Sequence, residues 1–147
     1  MSNELDLTHG TDLAIHAEQT EFTEQQLNLL EHMGVKDAPP GDLQVFFYLS
    51  KRSGLDPFAR QIHMIGRKQD GRMKYTVQTG IDGYRLVARR AADHARHTLS
   101  IGAPEWCDEN GQWRTAWSHS RWGYPLAARI TVTRAGEQFV GVANFDE

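Results

Sequence analysis

The 147-residue chain is long enough to bury the core of one domain, and its 24% charged and 39% hydrophobic residues are ordinary for a globular protein. No apolar run approaches the ~20 residues of a membrane helix. Residues 1–10 lack the basic and apolar stretches of a signal peptide, and the single Cys107 rules out an internal disulfide framework and fits a reducing cytoplasm. The net charge of −3 argues against a nucleic-acid partner until the chain is divided. Residues 1–42 carry nine acids against Lys36, residues 43–103 carry eleven Lys/Arg against four acids, and residues 104–147 carry four Arg against six acids. The middle third suits phosphate or is simply a basic solvated face; charge alone does not separate these.

Residues 1–21 are acidic and aperiodic and read as a mobile tail, leaving 22–147 as the folded domain. Phe22-Thr23-Glu24-Gln25-Gln26-Leu27 opens a helix: Thr23 caps, Gln26 reaches back to the Thr23 amide, and Phe22 and Leu27 form a hydrophobic staple. Leu27, Leu30 and Met33 supply its apolar stripe, and Ala38-Pro39-Pro40-Gly41 breaks it. A second helix is expected from an Asp42 N-cap through Leu43, Phe46, Phe47 and Leu49 to Arg52, with Gly54 at its left-handed end. Asp56-Pro57 forces an extended exit.

A hairpin follows. Residues 61–68 and 72–79 are strand-like around a Gln69-Asp70-Gly71 turn, with Ile62 and Met64 on one face and His63 and Ile65 on the other. Four bases, Arg67, Lys68, Arg72 and Lys74, surround that turn. After Gly80 the period becomes helical: Ile81, Tyr84, Val87 or Ala88, and Ala91 are expected to face inward, with Tyr84 in the core. Arg85 and Arg89 stand four apart beside Arg90. Such like charges repel modestly, which an anion lying across them would relieve; a solvated helix face is the equal alternative. The last third reads as strands at 98–107, 112–117, 126–134 and 138–145. Helices, a hairpin, a central helix and then strands make an α+β chain.

Several chemistries fail on their residues. Gly66 to Met73 places two glycines at P-loop spacing but lacks the Lys-Ser/Thr that grips phosphate and Mg²⁺, and it lies in a hairpin. His94, His97, Cys107 and His119 match no paired zinc-ligand spacing. No Ser or Cys stands in a nucleophile elbow. Asp56, Asp70 and Asp82 each have a local structural role instead of the shared one a metal-dependent nuclease needs. Trp106, Trp113, Trp117, Trp122 and Tyr124, interleaved with Arg114 and Arg121, either stack bases or fill a core or subunit interface; the local charge favours core or interface.

Gly54-Leu55-Asp56-Pro57-Phe58-Ala59-Arg60-Gln61-Ile62, followed by Gln78-Thr79-Gly80-Ile81-Asp82-Gly83-Tyr84-Arg85, resembles the RecT/Redβ (Bet) family of phage recombinases. Trp106-Cys107, Gly111-Gln112-Trp113-Arg114 and the 127–132 strand are also similar to the Bet branch. The likeness spans roughly residues 22–147, and family members continue past the strand ending near Phe145 into a basic segment and a further helix. The resemblance implies a curved antiparallel sheet packed against helices, and single-strand DNA binding and annealing in phage-type recombination, without nucleotide hydrolysis or catalysis. It also implies homo-oligomeric rings or helical filaments, a partner 5′–3′ exonuclease, a bacterial cytoplasm, and no required cofactor, with Mg²⁺ at most an aid to annealing.

On this reading Arg67, Lys68, Arg72, Lys74, Arg85, Arg89 and Arg90 contact phosphates. Gln78 and Thr79 add hydrogen bonds where a helix N-terminus favours an anion. Gly80 and Gly83 serve turn and packing. Two other classes stand against it: a metal-dependent DNA-processing enzyme, and a phage assembly protein with no DNA affinity.

Overall fold

The computed structural model describes residues 13–145, and the chain divides into two compact units, Met1–Leu86 and Val87–Glu147. The architecture is α+β, with antiparallel sheets and helices, as expected. The first unit contains α1 (Glu24–His32), α2 (Pro40–Ser53), the hairpin β1 (Ile62–Gln69) and β2 (Arg72–Thr79), and the opening turns of α3 (Ile81–Ala95).

The start of α1 follows its residues closely. The Thr23 amide donates to Gln26 Oε1 at 3.0 Å and the Gln26 amide donates to Thr23 Oγ1 at 3.2 Å, a complete capping box. Phe22 is buried and meets Phe47 edge-on, with ring centroids 5.1 Å apart. Around it gather Leu30, Val35, Phe46, Leu55, Ile62 and Met64, with Leu27 and Leu86 packed alongside. Burying one such side chain contributes about 1.5–3 kcal/mol, so this cluster is what holds the helices to the hairpin.

Of the tail expected over residues 1–21, residues 1–12 lie outside the described residues, whereas 13–21 are tied down. Gln26, itself buried, donates through Nε2 to the Leu13 carbonyl at 3.0 Å, Lys51 Nζ donates to the Gln19 carbonyl at 2.6 Å, and Ile15 packs on the core. One glutamine therefore caps a helix with its oxygen and anchors the preceding segment with its nitrogen.

Helix α2 begins at Pro40, two residues before the expected Asp42 cap. Proline suits a first helical position because the amide it lacks would have no partner there; Asp42 becomes a first-turn acid. Gly54 closes the helix at φ 62°, as expected.

In the second unit, β3 (Leu99–Ile101), β4 (Glu105–Cys107), β5 (Trp113–Arg114), β6 (Ala127–Arg134) and β7 (Glu137–Asn144) form one antiparallel sheet, with the short α4 (His119–Trp122) before β6. The single strand expected over 98–107 is two, both laid along β6: Ser100 opposes Thr133 and Trp106 opposes Ala128. Gly102-Ala103-Pro104 interrupts them, and Pro104 has no amide to give the ladder. The strand expected over 112–117 is reduced to Trp113–Arg114, and α4 has no counterpart among the expected elements. Strand β7 pairs with β6 across an Ala135-Gly136 turn and leaves Phe139, Val140 and Val142 exposed.

The inward face expected for α3 is corrected by the structure. Ile81, Tyr84 and Val87 are exposed, Tyr84 at 64%, while Gly83 is buried and Leu86 packs on the first unit's core. Further along, Ala92 is fully buried in the second unit. Helical periodicity located a real apolar stripe, but Gly83 allows the helix to come close on another side.

Candidate nucleic-acid interface

The hairpin's two-residue turn sets which side chains share a face. Asp70 and Gly71 adopt φ of 50° and 76°, the all-positive turn that Asp-Gly favours, and Gln69 then opposes Arg72. In an antiparallel ladder directly opposed residues project to the same side. One side therefore carries Ile62/Thr79, Met64/Val77, Gly66/Tyr75 and Lys68/Met73. Ile62 and Met64 belong to the core, and Tyr75 Oη donates to the Lys36 carbonyl at 2.6 Å.

The other side carries His63/Gln78, Ile65/Thr76, Arg67/Lys74 and Gln69/Arg72. Arg67, Arg72 and Lys74 are exposed there, and none makes an ion pair among the described residues. Placing Arg67 opposite Lys74 with no ion pair to either among the described residues costs the hairpin stability. The same placement concentrates positive potential on one outward surface, which is the arrangement that attracts a polyanion.

The remaining expected site residues divide. Lys68 is exposed near the turn but on the core-side face, and Thr79 is half-buried there, its methyl group against Gly83. Gln78 is exposed and joins the basic face. On α3, Arg85 Nη1 lies 3.4 Å from Asp82 Oδ1 in an exposed pair, and Arg89 Nη1 donates to the Leu99 carbonyl at 3.3 Å. Arg85 belongs to the first unit; Arg89 and Arg90 belong to the second. Each of these two guanidiniums thus has a local acceptor, the Asp82 carboxylate for Arg85 and the Leu99 carbonyl for Arg89. His63 and Ile65 are the members of the basic face that charge and composition do not reveal. The signal for them is the Asp-Gly turn, because its length dictates the register.

The two sequence motifs that carry the resemblance meet in space. The Gly80 amide donates to the Gln61 carbonyl at 2.9 Å, and a Cβ at Gly83 would overlap that same carbonyl oxygen. Asp56 Oδ1 accepts from the Phe58 amide at 2.8 Å, and the Asp56 amide donates to Gln61 Oε1 at 2.8 Å. The junction joins the entry to β1, the end of β2 and the start of α3, and it orients the hairpin on the first unit's core. Asp56 and Asp82 act locally, as expected from sequence.

In the second unit Arg114 and Arg129, near the tryptophans, are committed to structure. Buried Asp108 accepts from the Asn110 and Gln112 amides through Oδ1, both at 3.0 Å, and from Arg114 Nη2 through Oδ2 at 2.9 Å. The Gln112 amide foremost, then the Arg114 guanidinium, hold its carboxyl below the usual aspartate range against the opposing effect of burial. Arg129 Nε donates to Glu105 Oε2 at 2.8 Å and its guanidinium lies 4.2 Å from the Trp113 ring centre; Arg114 stacks on Trp122 at 4.8 Å. Glu105 is correspondingly lowered by its bond to Arg129, and Arg129 raised. The four tryptophans are half-buried, Trp117 donates through Nε1 to the Gly123 carbonyl at 2.9 Å, and its ring meets that of Trp122. Among the described residues, no group of three or more His, Cys, Asp or Glu side chains is placed to hold a metal ion, and no helix is long and apolar enough to cross a membrane.

No curated protein and no solved structure matches the chain. Residues 20–142, nearly all of the described fold and including both motifs and the basic hairpin, match the sequence model of the RecT family. The chain belongs to the RecT family, the single-strand annealing proteins of phage-type recombination.

Proposed function

We propose that this chain binds single-stranded DNA along the outer face of the β1–β2 hairpin and promotes pairing of complementary strands without nucleotide hydrolysis. The observation that carries the reading is the row Arg72, Arg67/Lys74 and Gln78, unpaired by acids and held outward by the register. Neutralising phosphates there releases counterions and lowers the repulsion between two strands, while base pairing itself supplies sequence recognition. No covalent bond is made or broken. Lys68 at the turn contributes from the hairpin's other side. Arg85, Arg89 and Arg90 are secondary contacts, weakened where Asp82 and a backbone carbonyl already engage the first two. Thr79 is the least exposed member of the set. Assembly into a homo-oligomer and cooperation with a 5′–3′ exonuclease belong to the same proposal, as does activity without a required cofactor, Mg²⁺ at most assisting annealing.

The test mixes the protein with two complementary fluorophore-labelled oligonucleotides, without ATP, across a salt series. Acceleration over the spontaneous rate that fades with salt supports annealing. Binding without acceleration restricts the chain to strand binding, and absence of binding rejects the proposal.

A further inference from the structure

The basic face of the hairpin does not end at its charges. Proceeding from the turn toward α3, the opposed pairs run Gln69/Arg72, Arg67/Lys74, Ile65/Thr76 and His63/Gln78. His63 therefore occupies the inner end of the surface whose outer end is cationic. Its ring is half-buried, its Nε2 would lie 2.7 Å from a Cβ on Gly80, and its side chain has no hydrogen-bond or ion-pair partner among the described residues.

Its strand neighbours are neutral or basic. On β2 its neighbours are Gln78, directly opposite, and Thr76, both neutral, with Lys74 beyond them; on β1 they are Ile65 and then Arg67. Arg60 turns its carbonyl toward Gly80, and the charged pair of the first α3 turn, Asp82 and Arg85, is closed on itself. No described carboxylate pairs with the imidazole.

We propose that His63 is a further strand contact on this face, adding a phosphate interaction when protonated and withdrawing it when neutral. The inference rests on the hairpin being the strand-binding surface, and it makes binding pH-dependent in a stated direction. Histidine is the side chain that ordinarily changes charge between about pH 5 and 8, whereas phosphodiesters keep theirs across that range. Single-strand binding then tightens from pH 8 to pH 6 and its salt dependence steepens by up to about 0.7 in log K against log salt, the increment of one neutralised phosphate.

The experiment follows a labelled oligothymidine by fluorescence anisotropy over a salt series at pH 6 and pH 8, with His63→Gln, His63→Lys and the double variant Arg67→Ala/Lys74→Ala. The expected result is a steeper slope at pH 6 for the unmodified chain, the pH 8 slope at both values for His63→Gln, and the steep slope at both for His63→Lys. An increment that survives in His63→Gln, or no increment in the unmodified chain, overturns the role of His63. If Arg67→Ala/Lys74→Ala leaves the slope unchanged at both pH values, the hairpin reading itself fails, an outcome distinct from the loss of the pH increment alone. Far-UV circular dichroism on each variant confirms folding, and His63→Lys keeps the test open if glutamine is poorly tolerated.

Discussion

Arg67 stands directly opposite Lys74 on the outer face of the β1–β2 hairpin, and no described carboxylate pairs with either. Two like charges in register destabilise a ladder. Their persistence on a surface that also carries Arg72 makes sense where a polyanion supplies the missing countercharge.

Replacing both, Arg67→Ala with Lys74→Ala, should lower the salt slope of single-strand binding by about 1.4, roughly 0.7 for each phosphate no longer neutralised. Thermal stability should stay unchanged or rise slightly. Lys68→Ala, across the hairpin, should cost less than either single change, and Arg85→Ala with Arg89→Ala less than the hairpin pair. An unaltered slope in the hairpin double variant removes this face from consideration.

The register that builds the face depends on residues 70 and 71. Gly71→Val forces a β-branched side chain to φ 76° and should cost about 1–3 kcal/mol in urea denaturation. Gly83→Ala meets the Gln61 carbonyl and should cost a comparable amount by overpacking. Wild-type midpoints for both would mean the junction yields more easily than its geometry indicates.

Phe22→Ala removes the ring that touches Phe46, Phe47 and Phe58 at once, and should destabilise the first unit by about 3–5 kcal/mol. Thr23→Ala, losing only the cap, should cost about 1 kcal/mol. Near-equal losses would show that the helix cap, rather than the packed core, is limiting.

Acid should loosen the 105–114 region. The carboxyls of Asp108 and Glu105 are lowered in the folded protein, so the stability they contribute is complete above the unfolded values near pH ~4 and is lost as pH falls through the folded ones. Asp108→Asn should reduce stability at pH 7 and flatten its fall between about pH 4 and 2. The check is thermal unfolding followed by tryptophan fluorescence, Trp106 and Trp113 lying in that hairpin. A variant with the wild-type acid profile would assign the effect to other carboxylates.

Much of the first unit was legible in the residues because its signals are local. The Thr23–Gln26 capping box, the Gly54 helix end and the Asp70-Gly71 turn each act within four or five residues, and each stands where the sequence placed it. The expected three-residue loop Gln69-Asp70-Gly71 would set Lys68 against Arg72, whereas the chain turns on Asp70-Gly71 alone, so that Gln69 opposes Arg72 and Arg67 opposes Lys74. The strand break at 102–104 was less legible: β3 and β4 are separate because both seek the same partner, β6, and only pairing with a distant strand shows where the ladder lapses.

What the sequence by itself determined was the α+β class, the hairpin and its basic composition, and the family, because turn chemistry, alternation and motif spacing are written in neighbouring residues. What only the tertiary structure decided was which faces are used. Gly83 draws α3 onto Gln61 and turns Tyr84 outward, against the inward stripe that periodicity implies. Asp82 and the Leu99 carbonyl occupy Arg85 and Arg89, while the hairpin arginines stay unpaired by acids. Periodicity ranks the sides of a helix by polarity, but the side that is buried is the one another segment can approach, and a glycine or a carbonyl far along the chain settles that.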